Sequence, residues 1–309
     1  MAASPLGCVL PGARERLLAH YGPSASEWLD AAPSLLATVA ERWKLALRSY
    51  HDAGHSSVVA VALDRQDTPV LLKAWFDPTR YRDEITALGV WAGGPTADVI
   101  ETADDLSIAA MELVGGRPGG TARPEREVQM VAAVIHGLHT VGRKQARTML
   151  PRLDDFLQRT MLPRIVDRTV KLDLGTRGWL VREALPEAHA LRPSSARTTV
   201  LHADLYRENV IFDQRGLARL IDPHPMVGDA AYDWAFWTVH YDLGQATFQR
   251  MAIASRISGI SVPELSAWCR AIALDGLLYY TEIGDPAEES AAEVLATLMA
   301  VGAEGAGSR

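Results

Sequence analysis

Within the run "VLHADLYRENVIFDQRGLARLIDPHPMVGDAAYD", residues 200–233, three groups have the types and spacing for chemistry at a metal-bound phosphate. Asp204 falls in a loop after the apolar run "TTVLHA", Asn209 stands at the entry to "NVIFD", and Asp222 ends "LARLID". Gln214 to Gly216 is turn chemistry, so the last two runs read as a hairpin. A hairpin sets the start of its first strand beside the end of its second, which lets Asn209 and Asp222 point at one spot. A hard cation such as Mg²⁺ takes oxygen ligands of this kind, one or two carboxylates completed by water and substrate phosphate. Asp204 is then left to accept or orient a hydroxyl proton. Phosphoryl transfer asks this of a protein: positioning, charge neutralisation and one group on the nucleophile.

The elements that must hold these groups can be read outward from them. Upstream, "SEWLDAAPSLLATVAERWKLAL", from Ser26 to about Leu47, has helical apolar spacing with Ser26 as N-cap and Pro33 as an interruption. "SSVVAVALD" and "PVLLKAWF" flank the turn "RQDT", so residues 56–76 read as a β-hairpin. "PTRYRDEITALGVWAG" reads as a helix, and "ADVIETADDLSIAAMELV" as two strands around Ala103 to Asp105. The connector "GGRPGG" closes this part. Beyond it come helices, first "EREVQMVAAVIHGLHTV" with Val128, Val131, Ile135 and Leu138 on one face, then "LDDFLQRTMLPRIVDRTVKL". Strands return around Asp204, and the chain is mostly helical from Ala230 on. The expectation is a two-lobed α+β protein: a small sheet lobe over residues 1–114, a connector over 115–120, and a mainly helical lobe over 121–309. Ligand sites favour the crevice between such lobes.

Composition bounds the partners. The 309 residues are 48% hydrophobic with a formal charge of −7, which argues against a nucleic-acid binder. Residues 220–309 carry twelve acidic side chains against four arginines, whereas residues 115–219 carry eleven against eighteen basic ones. The acidic third suits a cationic partner, with a merely solvated face as the alternative. Two cysteines without metal or disulfide spacing indicate a reducing compartment. Without a signal-type leader or an apolar run of about 18 residues, the expectation is a soluble, cytoplasmic chain away from membranes.

"LHADLYRENVIF" resembles the catalytic loop of the aminoglycoside phosphotransferases and their protein-kinase-like relatives, and "LIDPHPMVGDAAYD" their metal-binding aspartate with the helix that follows. The second run is most similar to the branch that contains streptomycin and hydroxyurea phosphotransferases. The resemblance implies a protein-kinase-like fold, Mg²⁺ with ATP or GTP as donor, and a small-molecule hydroxyl as acceptor. Asp204 would be the catalytic aspartate, Asn209 and Asp222 the metal ligands, and His202 a stabiliser of the loop. Asp229 would brace that loop and Asp233 face the substrate, unless both are helix-start carboxylates favoured by the dipole. Two positions depart from the pattern: Tyr206 stands where His or Lys is common, and Ala203 where Gly is usual.

A kinase-like reading also asks for a strand lysine and a helix glutamate. Lys73 of "PVLLKAWF" and Glu84 of "DEITALGVW" fit, as an ion pair. Gly54, Ser56 and Ser57 stand where a phosphate-covering loop belongs, and a metal site at His51 and His55 lacks a carboxylate or cysteine partner. In "AAMELVGG" the backbones of Glu112 and Val114 match the positions that hold the nucleotide base, and His139 reads as a core or loop-bracing residue. The leading expectation is a phosphotransferase that inactivates an antibiotic or related polyol. A metabolic kinase acting on choline, a sugar or an amino alcohol is the first alternative. A nucleotide-binding pseudokinase is the second, and it would lack a catalytic group.

Overall fold

The computed structural model describes residues 6–52, 56–145 and 149–306, with side chains described as far as residue 300. The chain divides into two compact units, Met1–Pro124 with Ile211–Ile221 and Glu125–Val210 with Asp222–Arg309.

The first unit opens with helices α1 (Pro11–Tyr21) and α2 (Ser26–Trp43), followed by strands β1 (Ala46–His51), β2 (Ser57–Leu63) and β3 (Pro69–Trp75). Helix α3 (Pro78–Val90) and strands β4 (Val99–Ala103) and β5 (Ile108–Glu112) complete it. The strands form one antiparallel sheet in the order β1-β2-β3-β5-β4. Alternation along β3 decides what each face carries. Val70, Leu72 and Ala74 join Leu29, Leu36 and Val39 of α2 and Leu17 of α1 in one apolar cluster. Leu71 and Trp75 join Met111 of β5 with Tyr81 and Leu88 of α3 in the other. Lys73 shares the parity of Leu71 and Trp75, so its stem runs on the α3 side.

Three local expectations change. Pro33 does not interrupt α2, although it removes the bond to the Leu29 carbonyl and costs roughly 3 kcal/mol in a helix interior. The helix holds because Pro33 lies in a buried stripe with Leu29, Ala32, Leu36 and Val39, where each large apolar side chain contributes about 1.5–3 kcal/mol. Ser26 is the first helical residue and not the cap; its Oγ accepts from Arg14 Nη2 at 3.0 Å. The helix stops at Trp43, where Lys44 takes a φ of 59°, and the chain turns into β1, an unforeseen strand on the sheet edge with mostly exposed or half-buried residues.

The segment Ile211–Ile221 clusters with this first unit and not with the helical one. Leu220 N–H donates to Pro95 O at 2.7 Å, Ala97 N–H to Leu220 O at 3.2 Å, and Thr121 N–H to Phe212 O at 2.8 Å. Gly120 permits this approach. Its φ is 64°, and a Cβ there would stand 2.1 Å from Ile211 Cγ2 and 2.6 Å from the Phe212 carbonyl.

In chain order the remaining elements begin with α4 (Glu127–Gly142) and α5 (Leu153–Phe156), which runs through a π turn into α6 (Leu162–Lys171). Helix α7 (Gly178–Ala190) and strands β6 (Thr198–Leu201), β7 (Val210–Phe212), β8 (Ala218–Leu220) and β9 (Met226–Asp229) follow. Helices α8 (Ala231–His240), α9 (Thr247–Ser258), α10 (Val262–Ile283) and α11 (Ala287–Ala306) close the chain. Every residue of α8 is buried, as an all-round apolar helix requires, and α10 packs against α6, α7, α8, α9 and α11. Strand β9, also unforeseen, pairs antiparallel with β6 from Thr198 opposite Asp229 to Leu201 opposite Met226. That pairing fixes the exit of β6, from which the Asp204 loop departs.

Candidate active site

In the first unit the side chains of Lys73 and Glu84 meet. Lys73 Nζ donates to Glu84 Oε1 at 2.6 Å, Trp75 Nε1 donates to Glu84 Oε2 at 2.9 Å, and the ammonium lies 4.8 Å from the Trp75 ring centroid. Both charged side chains are at most 3% exposed. A buried ion pair stands only where its remaining polar atoms are met, and here one carboxylate satisfies a lysine and an indole together. The other first-unit candidates are placed less tightly. Ser57 is buried at the start of β2, whereas Ser56 is half-buried and its carbonyl accepts from Tyr21 Oη at 3.1 Å. Gly54 and His55 lie outside the described residues. The Glu112 carboxylate takes Arg219 Nη2 at 2.6 Å and its N–H donates to the Asp98 carbonyl at 2.8 Å, and Val114 is buried.

In the second unit β6 delivers the chain into the loop of His202 to Tyr206, and a 3₁₀ turn, Arg207–Asn209, leads into β7. Asn209 Nδ2 donates to the Asp204 backbone carbonyl at 2.9 Å and to Asp204 Oδ2 at 2.8 Å. The amide nitrogen thus orients the Asp204 carboxylate, and the amide oxygen is the ligand atom it has left. Because β7 pairs with β8, Asp222, just past β8 with φ 53°, comes back beside the entry to β7. Among the described residues no group of three or more His, Cys, Asp or Glu side chains could hold a metal ion. The Asp222 carboxylate and the Asn209 amide oxygen suit a hard cation that brings its own water and phosphate ligands.

Asp233 holds this loop from beneath. Its Oδ2 accepts from the His202 N–H at 2.9 Å and lies 2.8 Å from His139 Nε2, and its Oδ1 accepts from the Ala203 N–H at 2.8 Å. Ala203 has a φ of 58°, which explains why glycine is usual there: a Cβ in the left-handed region costs about 1–2 kcal/mol. The two N–H bonds to one carboxylate oppose that cost. His202 itself is buried, and its carbonyl accepts from His224 N–H at 2.8 Å.

Asp229 and Asp233 are therefore not substrate contacts, and their expected roles change. Asp233, fully buried, braces the loop instead of facing a substrate. Asp229 is buried behind it, where it takes Arg197 Nε and Nη2 at 2.7 Å, Ser194 N–H at 2.8 Å and the Ala231 N–H at 3.0 Å as α8 begins. The expectation assigned the loop brace to the wrong one because both carboxylates open the same helix, and only their contacts separate them.

Tyr206 turns into the helical unit. Its ring meets Phe236 edge-on at 5.0 Å and lies 5.4 Å from His240. Burial first, then the negative groups around it, push its pKa well above the usual tyrosine range. The acidic surplus of residues 220–309 is also accounted for in part. Asp229, Asp242, Glu264, Asp275, Glu282 and Glu288 all pair with arginines of residues 164–207. None of these pairings was legible in sequence, since their partners are more than 30 residues away.

Residues 78–259 match the model of the phosphotransferase enzyme family. The chain is 24% identical over 291 residues to a streptomycin 6-kinase of Streptomyces griseus, covering 89% of this chain and 92% of that one. It is 23% identical over 289 residues to a hydroxyurea phosphotransferase of Kitasatospora aureofaciens, covering 90% and 83% respectively. Among solved structures, a thermostable mutant of the aminoglycoside phosphotransferase APH(4)-Ia in complex with AMP-PNP and hygromycin B superposes with a TM-score of 0.61. That match has 18% identity over 89% of this chain and 100% of the other, and it shows the same two-part fold, an antiparallel-sheet unit and a mainly helical one.

Proposed function

The chain belongs to the phosphotransferase enzyme family, and from that premise we propose that it transfers the γ-phosphate of ATP or GTP to a hydroxyl of a small antibiotic-like molecule, inactivating it. The observation that carries the reading is the Asp204 carboxylate oriented by the Asn209 amide on a loop braced by Asp233. In the forward reaction Asp204 orients the acceptor hydroxyl and takes its proton. The hydroxyl oxygen bonds to the γ-phosphorus as the bridging bond to the β-phosphate breaks, and the nucleoside diphosphate leaves with that electron pair.

Asn209, through its amide oxygen, and Asp222 would hold Mg²⁺, which when bound neutralises charge on the donor phosphates. Lys73, held in place by Glu84, which also accepts from Trp75, would meet the phosphates of the donor. The backbones of Glu112 and Val114 would hold the base, and Gly54 with Ser56 would cover the phosphates. Ser57 is less apt for that role because it is buried. No described helix is long and apolar enough to cross a membrane, and the reaction is proposed for the cytoplasm, where the donor is plentiful.

A nucleotide-consumption screen of ATP and GTP against hydroxylated antibiotics tests this, with the phosphorylated position located by NMR. Turnover with at least one acceptor is expected, falling by more than a thousandfold in Asp204→Asn with the fold retained. Undiminished turnover in that variant would remove Asp204 from the mechanism.

A further inference from the structure

The helical unit contains a cavity of about 260 Å³ against the Asp204 loop, and its lining speaks to what the acceptor is. Tyr206 forms one wall, and Tyr232, Phe236 and His240, one helical turn apart along α8, form another. Tyr206 stands two residues after Asp204 on the same loop, so the cavity is walled in part by the loop that carries the proposed catalytic group. At about 260 Å³ the volume falls just below the range of roughly 300–1,000 Å³ usual for small-molecule sites, which suits one ring and not an oligosaccharide.

The charges in this wall are already matched. Arg164 clamps Asp275 with Nε at 2.8 Å and with Nη2, and Arg168 reaches Asp275 at 3.5 Å and Glu282 at 2.7 Å. Asp275 is the carboxylate in the lining, and both arginines hold it. An ammonium or guanidinium entering here would lose its water without gaining a countercharge from the lining and would meet two cations.

His240 supplies the opposite preference. It is 7% exposed, and its Nδ1 has no hydrogen-bond partner among the described residues. Burial lowers its pKa to about 4, so the ring is neutral near pH 7. A neutral imidazole with an unmet ring nitrogen, lining an aromatic cavity, favours a hydroxyl of an uncharged ligand, which can donate or accept, over a cation.

We infer that this cavity is the acceptor subsite and that it takes an uncharged, single-ring hydroxylated compound while excluding ammonium and guanidinium groups. The inference rests on the phosphotransferase reading for the identity of the ligand as acceptor. It sets aside the cationic acceptor that the acidic third of the sequence invited.

Three matched probes test it on the full chain without nucleotide: methyl β-D-glucoside, its 2-amino-2-deoxy counterpart, and the corresponding glucuronide. Affinity is read by calorimetry, and occupancy by the ¹³Cε1 signal of His240, assigned by its loss in His240→Gln. The glucoside is expected to bind at least tenfold tighter than the amine and to move the His240 signal. His240→Phe should weaken it at least fivefold, whereas His240→Gln, which keeps an acceptor, should stay within twofold. An amine or glucuronide that binds as tightly as the glucoside overturns the inference, as does a His240 signal that none of the three moves. MgATP binding is measured on the same preparation. Its absence alongside glucoside binding sinks the phosphotransferase reading and leaves the cavity a neutral-ligand site, while nucleotide binding without a glucoside response sinks the inference alone.

Discussion

Replacing Asp233 with Asn tests the brace with almost no change in volume. The carboxylate accepts from two backbone N–H groups and lies beside His139 Nε2. An amide keeps one acceptor oxygen. If that oxygen stays on the His202 and His139 side, the NH₂ faces the Ala203 N–H and leaves it buried without a partner, which costs about 1–3 kcal/mol. That loss falls on the one loop residue already at a left-handed φ of 58°, so the Ala203 peptide should relax and carry Asp204 with it. A displacement of about 1 Å at a reacting group costs on the order of a hundredfold in rate. The expected result is a loss of about 1–3 kcal/mol in urea denaturation, a ten- to hundredfold fall in kcat, and nucleotide affinity unchanged within twofold. Adding Ala203→Gly removes the Cβ cost and should restore part of both losses. Asp233→Asn with kcat within twofold of the parent and an unchanged denaturation midpoint would refute the brace.

Other expected outcomes follow from single contacts. Glu84→Ala leaves Lys73 buried without its carboxylate, which should cost about 3–5 kcal/mol in chemical denaturation and weaken nucleotide binding at least tenfold by calorimetry; an unchanged midpoint would show the pair to be incidental. His240 has its pKa lowered from 6.5 to about 4, so the unfolded chain binds more protons between those values. Its contribution is complete above pH 6.5 and lost as pH falls toward 4, so the parent should lose about 3 kcal/mol more than His240→Phe across that window in parallel urea titrations; equal losses would place the acid sensitivity elsewhere. Gly120→Ala adds a Cβ against Ile211 Cγ2 and the Phe212 carbonyl at a positive φ. It should lower stability by about 2–4 kcal/mol, and a melting temperature within 2 °C of the parent, roughly the effect of under 1 kcal/mol, would contradict the close approach.

The parts legible in sequence were those settled by neighbours along the chain. Asp204 and Asn209 sit five residues apart within one loop, so residue spacing determines the contact between them. Lys73 and Glu84 are eleven residues apart, on a strand and the helix that directly follows it, and strand parity alone sets the lysine on the helix side. The two strands that went unforeseen, β1 and β9, are short or edge-lying, and both depend on partners rather than on their own apolar pattern.

Tertiary structure decided which polar groups meet across long separations. Asp233 reaches back about 30 residues to the loop it braces, Arg164 finds Asp275 across 111, and the arginines of one stretch pair with part of the acidic surplus of the next. The choice between Asp229 and Asp233, the direction of Tyr206, and the assignment of Ile211–Ile221 to the sheet unit were likewise settled by packing. The physical reason is that helices and strands dock through their apolar stripes, and a stripe specifies a face without specifying its partner. A carboxylate carried on that helix therefore learns what it touches only once the apolar faces have closed.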